Sequence, residues 1–288
     1  MENKGTVLRW LHRDRPLPWG RDPAQFEPEK LWAVIEWLTG RVFGPRAYFP
    51  VQAKGMERIP PAPVMVVSNH SGGTSIPDVW AFAWLWYRTF GAQRPIHPVA
   101  HEMVFSLPAL ARWFAERGVL RADPGLTMKI LTEFRRDVMV MPGGDLDTWR
   151  PWHRRYEVEF AGRTGYARTA LRARVPIVPV AHAGAHDTLM VLTDGREFAK
   201  LVGLRRLARM NAWPVHVSLP LGLTPMPSPH IPLPVTMRYR VGEPIPVPSS
   251  LGPGDEPDDA MVIEHDARVR AAVQALLYEL RDELEFSP

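Results

Sequence analysis

From residue 64 onward the chain alternates short apolar runs with longer segments of helical period. "VMVV" (64–67), "IHPVA" (96–100), "VMVM" (138–141) and "PIVPVA" (176–181) are almost wholly apolar. Such runs predict strands covered on both faces, the usual state of a parallel sheet. "GVLR" (118–121) reads as a further short strand or a turn. Between the runs, "DVWAFAWLWYR" (78–88) predicts a helix that is apolar nearly all round. "SLPALARWFAER" (106–117), "LTMKILTEFRR" (126–136) and "GYARTALRA" (165–173) predict helices with one apolar stripe each. Ser106 is placed to cap the first of these three. "VTMRYRV" (235–241) alternates cleanly, with Val235, Met237, Tyr239 and Val241 on one side, and predicts an edge or half-exposed strand. Earlier, "PEKLWAVIEWLTGRVFG" (28–44) sets Leu31, Ile35 and Leu38 along one stripe, widened by Trp32 and Val34. It predicts a helix that either packs on the core or lies flat on a membrane. The end, 260–284, is a long amphipathic helix carrying Val269, Val273, Leu276, Leu277 and Leu280.

The alternation predicts a single α/β domain, with a mixed, largely parallel sheet flanked by helices. Residues 1–47 form Trp-rich amphipathic helices in this reading. Residues 48–245 form the α/β body, and 246–288 a connection and a C-terminal helix packed on it. The stretches 214–234 and 243–259 are Pro-rich and read as irregular.

Composition changes this picture at four points. With 45% hydrophobic and 23% charged residues in 288, the chain is built to fold. The absence of cysteine excludes disulfides, thiolate catalysis and cysteine-ligated metals. The net charge of +4 is mild, and basic residues cluster in "RPWHRRYEVEFAGR" (150–163) and "RLARM" (206–210). They are interleaved with acids and form no aromatic-basic module, so no nucleic-acid partner is expected. Eleven tryptophans, several near positions 1–50 and 79–88, suit either a Trp-rich core or a membrane interface. "MENKGTVLRWLHRDRP" lacks the apolar stretch of a secretory signal, and no window reaches the roughly 18 apolar residues of a span. The expectation is a cytoplasmic protein.

The chemistry concentrates in "NHSGGTSIPD" (69–78). His70 follows a buried strand, at the end where α/β folds place ligands. Gly72-Gly73 leaves the backbone free to bend or to approach a substrate. Ser75 and Pro77 suit a helix start, so Asp78 falls in its first turn. On these residues alone two readings stay open. Either His70 bonds within a turn and Asp78 complements the helix N-terminus, or the two form a catalytic pair. "HAGAH" sets His182 and His186 four apart, but Gly184 and the preceding strand argue for a loop, and no third metal ligand is evident. No phosphate loop or nucleophile elbow occurs.

Four pieces taken together resemble the phospholipid/glycerol acyltransferase superfamily, in family order. They are "VSNHSGGTSIPD" (67–78), "ERGVLRADP" (116–124), "VMVMPGGDLDTWRP" (138–151) and "VPIVPVAHAG" (175–184). The lysophospholipid acyltransferase-like members are most similar, and "GRTGYARTALRARVPIVPV" adds likeness to the diacylglycerol acyltransferase group. The resemblance implies O-acyl transfer from acyl-CoA or acyl carrier protein, as substrate, to a lipid acceptor, with no cofactor and no metal. It implies His70 as general base oriented by Asp78. It implies substrate contacts by Asn69, Gly72, Gly73, Arg121, Gly143, Gly144 and Arg150, and peripheral attachment to the inner face of a membrane. A lipid-binding carrier or a thioesterase or lipid esterase on the same fold is the alternative. The chain departs from the family pattern twice. Seven residues rather than four separate His70 from Asp78, and Pro142-Gly143-Gly144 stands where Pro-Glu-Gly is usual.

Overall fold

The structure, a computed structural model, describes residues 17–204, 210–252 and 254–286. The expectations for Trp10, Leu11 and the rest of 1–16, and for most of the basic cluster at 206–210, lie outside the described residues.

Seven strands make one sheet: β1 (Val51–Lys54), β2 (Met65–Ser68), β3 (Ile96–Ala100), β4 (Leu120–Arg121), β5 (Asp137–Val140), β6 (Ile177–Ala183) and β10 (Met237–Val241). Their order is β1-β10-β6-β2-β5-β3-β4. Every pairing is parallel except β10 with β6, so the sheet is mixed and largely parallel, as the alternation predicts. A second, antiparallel sheet of β7 (Met190–Thr193), β8 (Val215–Ser218) and β9 (Gly222–Thr224) lies in the stretch read as irregular. Its strands are three or four residues long, too short to show a period, and prolines flank β8 and β9.

Alternate residues of each central strand enter opposite cores. Met65, Val67, Val138 and Ile177 join Leu171, Val273 and Leu277 on one face. Val66, Met139, Val178 and Tyr239 join Ile35, Phe82 and Trp86 on the other. The first core is closed by α6 (Gly165–Ala173) and the long α8 (Asp259–Phe286), the second by α1 (Pro28–Leu38) and α2 (Pro77–Phe90). One expectation is corrected here. Strand β10 is neither an edge nor half-exposed, because β1 pairs on its outer side and Glu283 of α8 neutralises Arg240. Of the two readings open for the 79–88 segment, the burial of Phe82 and Trp86 against the sheet carries the core one. In α1, Leu31, Ile35 and Leu38 pack inward while Trp37 remains exposed.

Three further helices are α3 (Pro108–Glu116), α4 (Pro124–Thr132) and the single turn α5 (Gly144–Thr148), the last of which carries Asp147 of the site. A last short one, α7 (Arg196–Leu201), follows β7.

Candidate active site

Strands β5, β2 and β6 run parallel, so the loops after them emerge at one end of the sheet. Ser68 pairs with Val180, which sets residue 70 level with His182 two positions on. Asn69 fastens that level. Its Oδ1 accepts from the His182 backbone N–H at 2.9 Å, and its Nδ2 donates to the His182 carbonyl at 3.0 Å. The amide is fully buried and used by the neighbouring strand, so Asn69 braces the loop rather than meeting a substrate.

The seven residues between His70 and Asp78 fold into a compact reversal. Gly72 sits at φ +96°, where an added Cβ would fall 2.6 Å from Pro77 Cδ. A 3-10 turn over Gly73–Ser75 follows. Ile76 then adopts φ +42°, ψ +49°, a left-handed conformation that a branched residue rarely takes and that costs roughly 1–2 kcal/mol. Pro77 opens α2, with Asp78 in its first turn. The extra residues are absorbed by the turn, and Asp78 Oδ2 stands 2.6 Å from His70 Nδ1. Thr74 Oγ1 donates to the Ser228 carbonyl at 2.7 Å, and Ser75 Oγ lies 2.8 Å from His230 Nε2. The turn is thereby docked on the Pro-rich segment before β10.

Asp78 is fully buried. Its Oδ2 also accepts from the Ser71 N–H at 3.0 Å and lies 3.2 Å from His182 Nε2. The Tyr239 hydroxyl donates to the Asp78 backbone carbonyl at 2.7 Å. Burial alone would raise the carboxyl pKa, but the facing His70 and His182 outweigh it. Together they hold Asp78 well below the usual carboxylate range. The His70 side chain is 13% exposed, and its Nε2 meets no protein partner among the described residues. One ring nitrogen is therefore fixed by a buried carboxylate while the other is free to take a proton.

The third block supports the same loop from below. Asp147 Oδ2 accepts from the His70 backbone N–H at 2.5 Å. Its Oδ1 accepts from the Glu159 N–H at 3.3 Å and pairs with Arg150. At Gly143, where the family pattern has glutamate, an added Cβ would lie 2.0 Å from the Glu159 carbonyl and 2.3 Å from Asp147 Cβ. No side chain fits there, and Asp147 is the buried acid of the block. Gly144, next to it, begins α5 at φ +53°, close under Arg163. Asp145 is committed elsewhere, to Asn211 and Arg163.

Arg121 and Arg150, expected among the substrate contacts, are engaged by the protein's own groups. Arg121 is 4% exposed; it donates to the carbonyls of Trp19 and Leu17, pairs with Glu102 and lies over the Phe105 ring. Arg150 is buried on Asp147 and also donates to the Arg155 carbonyl. Both guanidiniums hold protein together.

Residues 50–183, which include His70, Asp78, Asp147 and His182, match the family model described as Acyltransferase. Over this stretch, somewhat under half of its length, the chain is similar to that acyltransferase family. An uncharacterized protein of Mycobacterium tuberculosis is 29% identical over 266 residues, covering 90% of this chain and 69% of that protein. The Gallus gallus protein named DGAT1/2-independent enzyme synthesizing storage lipids is 26% identical over 234 residues, 81% of this chain and 60% of its own length. Among solved structures, the 1-acyl-sn-glycerophosphate (LPA) acyltransferase PlsC of Thermotoga maritima is similar over 86% of this chain and 77% of its own. Its TM-score is 0.46 and its identity 15%.

Three parts of the site carry no local signal in the sequence. His182 was weighed only as a metal ligand with His186, although it lies at the end of a strand paired with the His70 strand. Tyr239 is expected only as one of the apolar-side residues of an edge or half-exposed strand. Trp149, His216 and His230 gather beside the 3-10 turn, with Trp149 and His216 rings 5.1 Å apart. No local pattern joins residues so distant in sequence.

Proposed function

We propose that the enzyme transfers a fatty acyl group from an acyl-CoA or acyl carrier protein thioester to a hydroxyl of a lysophospholipid, glycerolipid or related lipid, at the inner face of a membrane. The observation that carries this reading is the 2.6 Å contact between Asp78 Oδ2 and His70 Nδ1, with Nε2 left open. A neutral imidazole there can take the acceptor hydroxyl's proton on Nε2 as the oxygen attacks the thioester carbonyl. Asp78 holds the Nδ1 proton, which fixes the tautomer and stabilises the imidazolium. As the tetrahedral intermediate collapses, the C–S bond breaks and the proton on Nε2 passes to the departing thiolate. No acyl-enzyme is formed, because the acceptor oxygen stands where a serine would. Backbone N–H groups of the Gly72-Gly73 loop are the donors nearest the developing oxyanion in this reading.

Among the acceptors, a neutral glycerolipid is favoured over a lysophosphatidate. Arg121 and Arg150, the guanidiniums of the matching blocks, are buried on carboxylates and carbonyls, and Gly143 replaces the usual glutamate. The test is incubation with radiolabelled acyl-CoA and a panel containing diacylglycerol, monoacylglycerol, a lysophospholipid and lysophosphatidate. Acylated neutral lipid is the expected product. Free fatty acid alone would make the protein a thioesterase, and no turnover with any donor would leave a lipid carrier.

A further inference from the structure

The small sheet β7-β8-β9 has two unlike faces. Inward, His216 pairs with Val191 and Thr224, and Ser218 lies beside them, all buried toward Trp149 and His230. Outward, Met190, Val217 and Leu223 stand in register across the three strands, and each is exposed. Leu219, Leu221 and Ile231 extend this face, with Leu219 and Ile231 joined by a bridge. An exposed apolar face of this extent on a folded chain marks a contact surface.

We propose that the outer face of β7-β8-β9 is the surface by which the enzyme docks on a lipid bilayer. The proposal rests on the lipid acyl transfer proposed above and names the face through which it meets its substrate. Four observations select lipid over protein. First, no Asp, Glu, Lys or Arg occurs between Arg209 and Arg238, so entering an apolar phase buries no charge along this stretch. Second, seven of the residues from Pro214 to Pro234 are proline. Proline has no N–H, so irregular backbone here leaves fewer unpaired donors in a medium without water. Third, the protruding residues are leucine, isoleucine, valine and methionine, without the Trp, Tyr and Arg anchors that dominate protein interfaces. The edge strand β9 is three residues long between Pro220 and Pro225, a poor template for pairing with a second copy.

The fourth observation is charge complementarity at the border. Tyr48 donates from its hydroxyl to the Pro232 carbonyl, which ties the 41–48 loop to this face. Arg41 and Arg46 on that loop are exposed and meet no carboxylate among the described residues, and Trp37 nearby in sequence is 59% exposed. Aromatic and cationic residues beside an apolar face suit the headgroup layer of an anionic membrane. The acids adjoining α7 are already paired, Asp194 with Arg196 and Glu197 with Lys200. Docking by this face sets the segment that holds the His70 turn, through Ser228 and His230, directly behind the lipid contact.

The experiment compares the wild type with the double variant Leu219→Glu/Leu223→Glu. Both positions are more than half exposed, at 52% and 66%, so neither change disturbs the core. Co-sedimentation with phosphatidylcholine vesicles containing phosphatidylglycerol measures binding without any need for turnover. Unchanged thermal unfolding and unchanged turnover of a short-chain, water-soluble acceptor show that the variant is intact. The variant is expected to bind vesicles at least about tenfold more weakly and to lose activity on vesicle-embedded acceptor alone. Vesicle binding equal to wild type overturns the proposal. So does a wild type that fails to bind, or one that is a dimer which the variant makes monomeric. Turnover of no acceptor at all would defeat the proposed reaction, yet the binding measurement would still decide the docking face.

Discussion

One oxygen of Asp78 serves three donors: His70 Nδ1, the Ser71 N–H and His182 Nε2. An amide in its place offers one acceptor and one donor, and it cannot hold both imidazoles in the same tautomer. Asp78→Asn is therefore expected to lower kcat by about 10³–10⁴-fold while leaving KM nearly unchanged, as steady-state kinetics would read. Asp147 makes a different prediction. Removing its carboxylate in Asp147→Ala leaves buried Arg150 without its counter-charge, a loss of about 3–5 kcal/mol in denaturant unfolding. A third concerns His97, which is buried, donates from Nδ1 to the Gly118 carbonyl at 2.9 Å, and is pulled by burial down to about 4. Its unfolded value is 6.5, so below that pH the unfolded chain binds a proton that the folded chain refuses. Stability falls as pH drops from 6.5 toward 4, by about 3 kcal/mol at the lower end. His97→Gln should make that acid limb shallower in urea titrations across the range. At this scale the sequence displayed His70 and Asp78, because both sit at element boundaries. It could not display Asp147 or His182 as their partners, since those contacts depend on strand register.

At the scale of elements, the apolar runs read well because each central strand is covered on both faces and shows no polar alternation. The helices of the body were equally legible from their stripes. β10 was misread because its arginines look outward in the sequence, whereas Arg240 is neutralised by the C-terminal helix. The β7-β8-β9 sheet gives no periodic signal because its strands are short and prolines interrupt the segment around β8 and β9. The reversal between His70 and Asp78 was legible only as a departure in spacing. Its 3-10 turn and the left-handed Ile76 are set by docking against Ser228 and His230. The start of α2 is fixed to β10 by the Tyr239 hydroxyl on the Asp78 carbonyl. Tyr239→Phe removes that bond, costing about 1–2 kcal/mol in thermal or urea unfolding. It should lower kcat more than it raises KM, because the loosened group is the one that orients His70. The C-terminal helix carries fully buried Leu277 into the first core, so Leu277→Ala is expected to destabilise by about 2–5 kcal/mol.

At the scale of the whole molecule, the parallel strands gather the four family blocks at one end of the sheet. There a buried carboxylate, a partly open imidazole and a braced loop come together, and the small apolar sheet lies beside them. No helix among the described residues is long and apolar enough to cross a membrane. The central claim is that His70 is the base of an acyl transfer. The most direct test is the initial rate of label transfer from acyl-CoA to a lipid acceptor by wild type and by His70→Ala. Circular dichroism and the unfolding midpoint would confirm that both are folded. The account predicts transfer by the wild type and its loss, by about 10³-fold or more, in a variant of unchanged fold. Transfer by folded His70→Ala at the wild-type rate would contradict it.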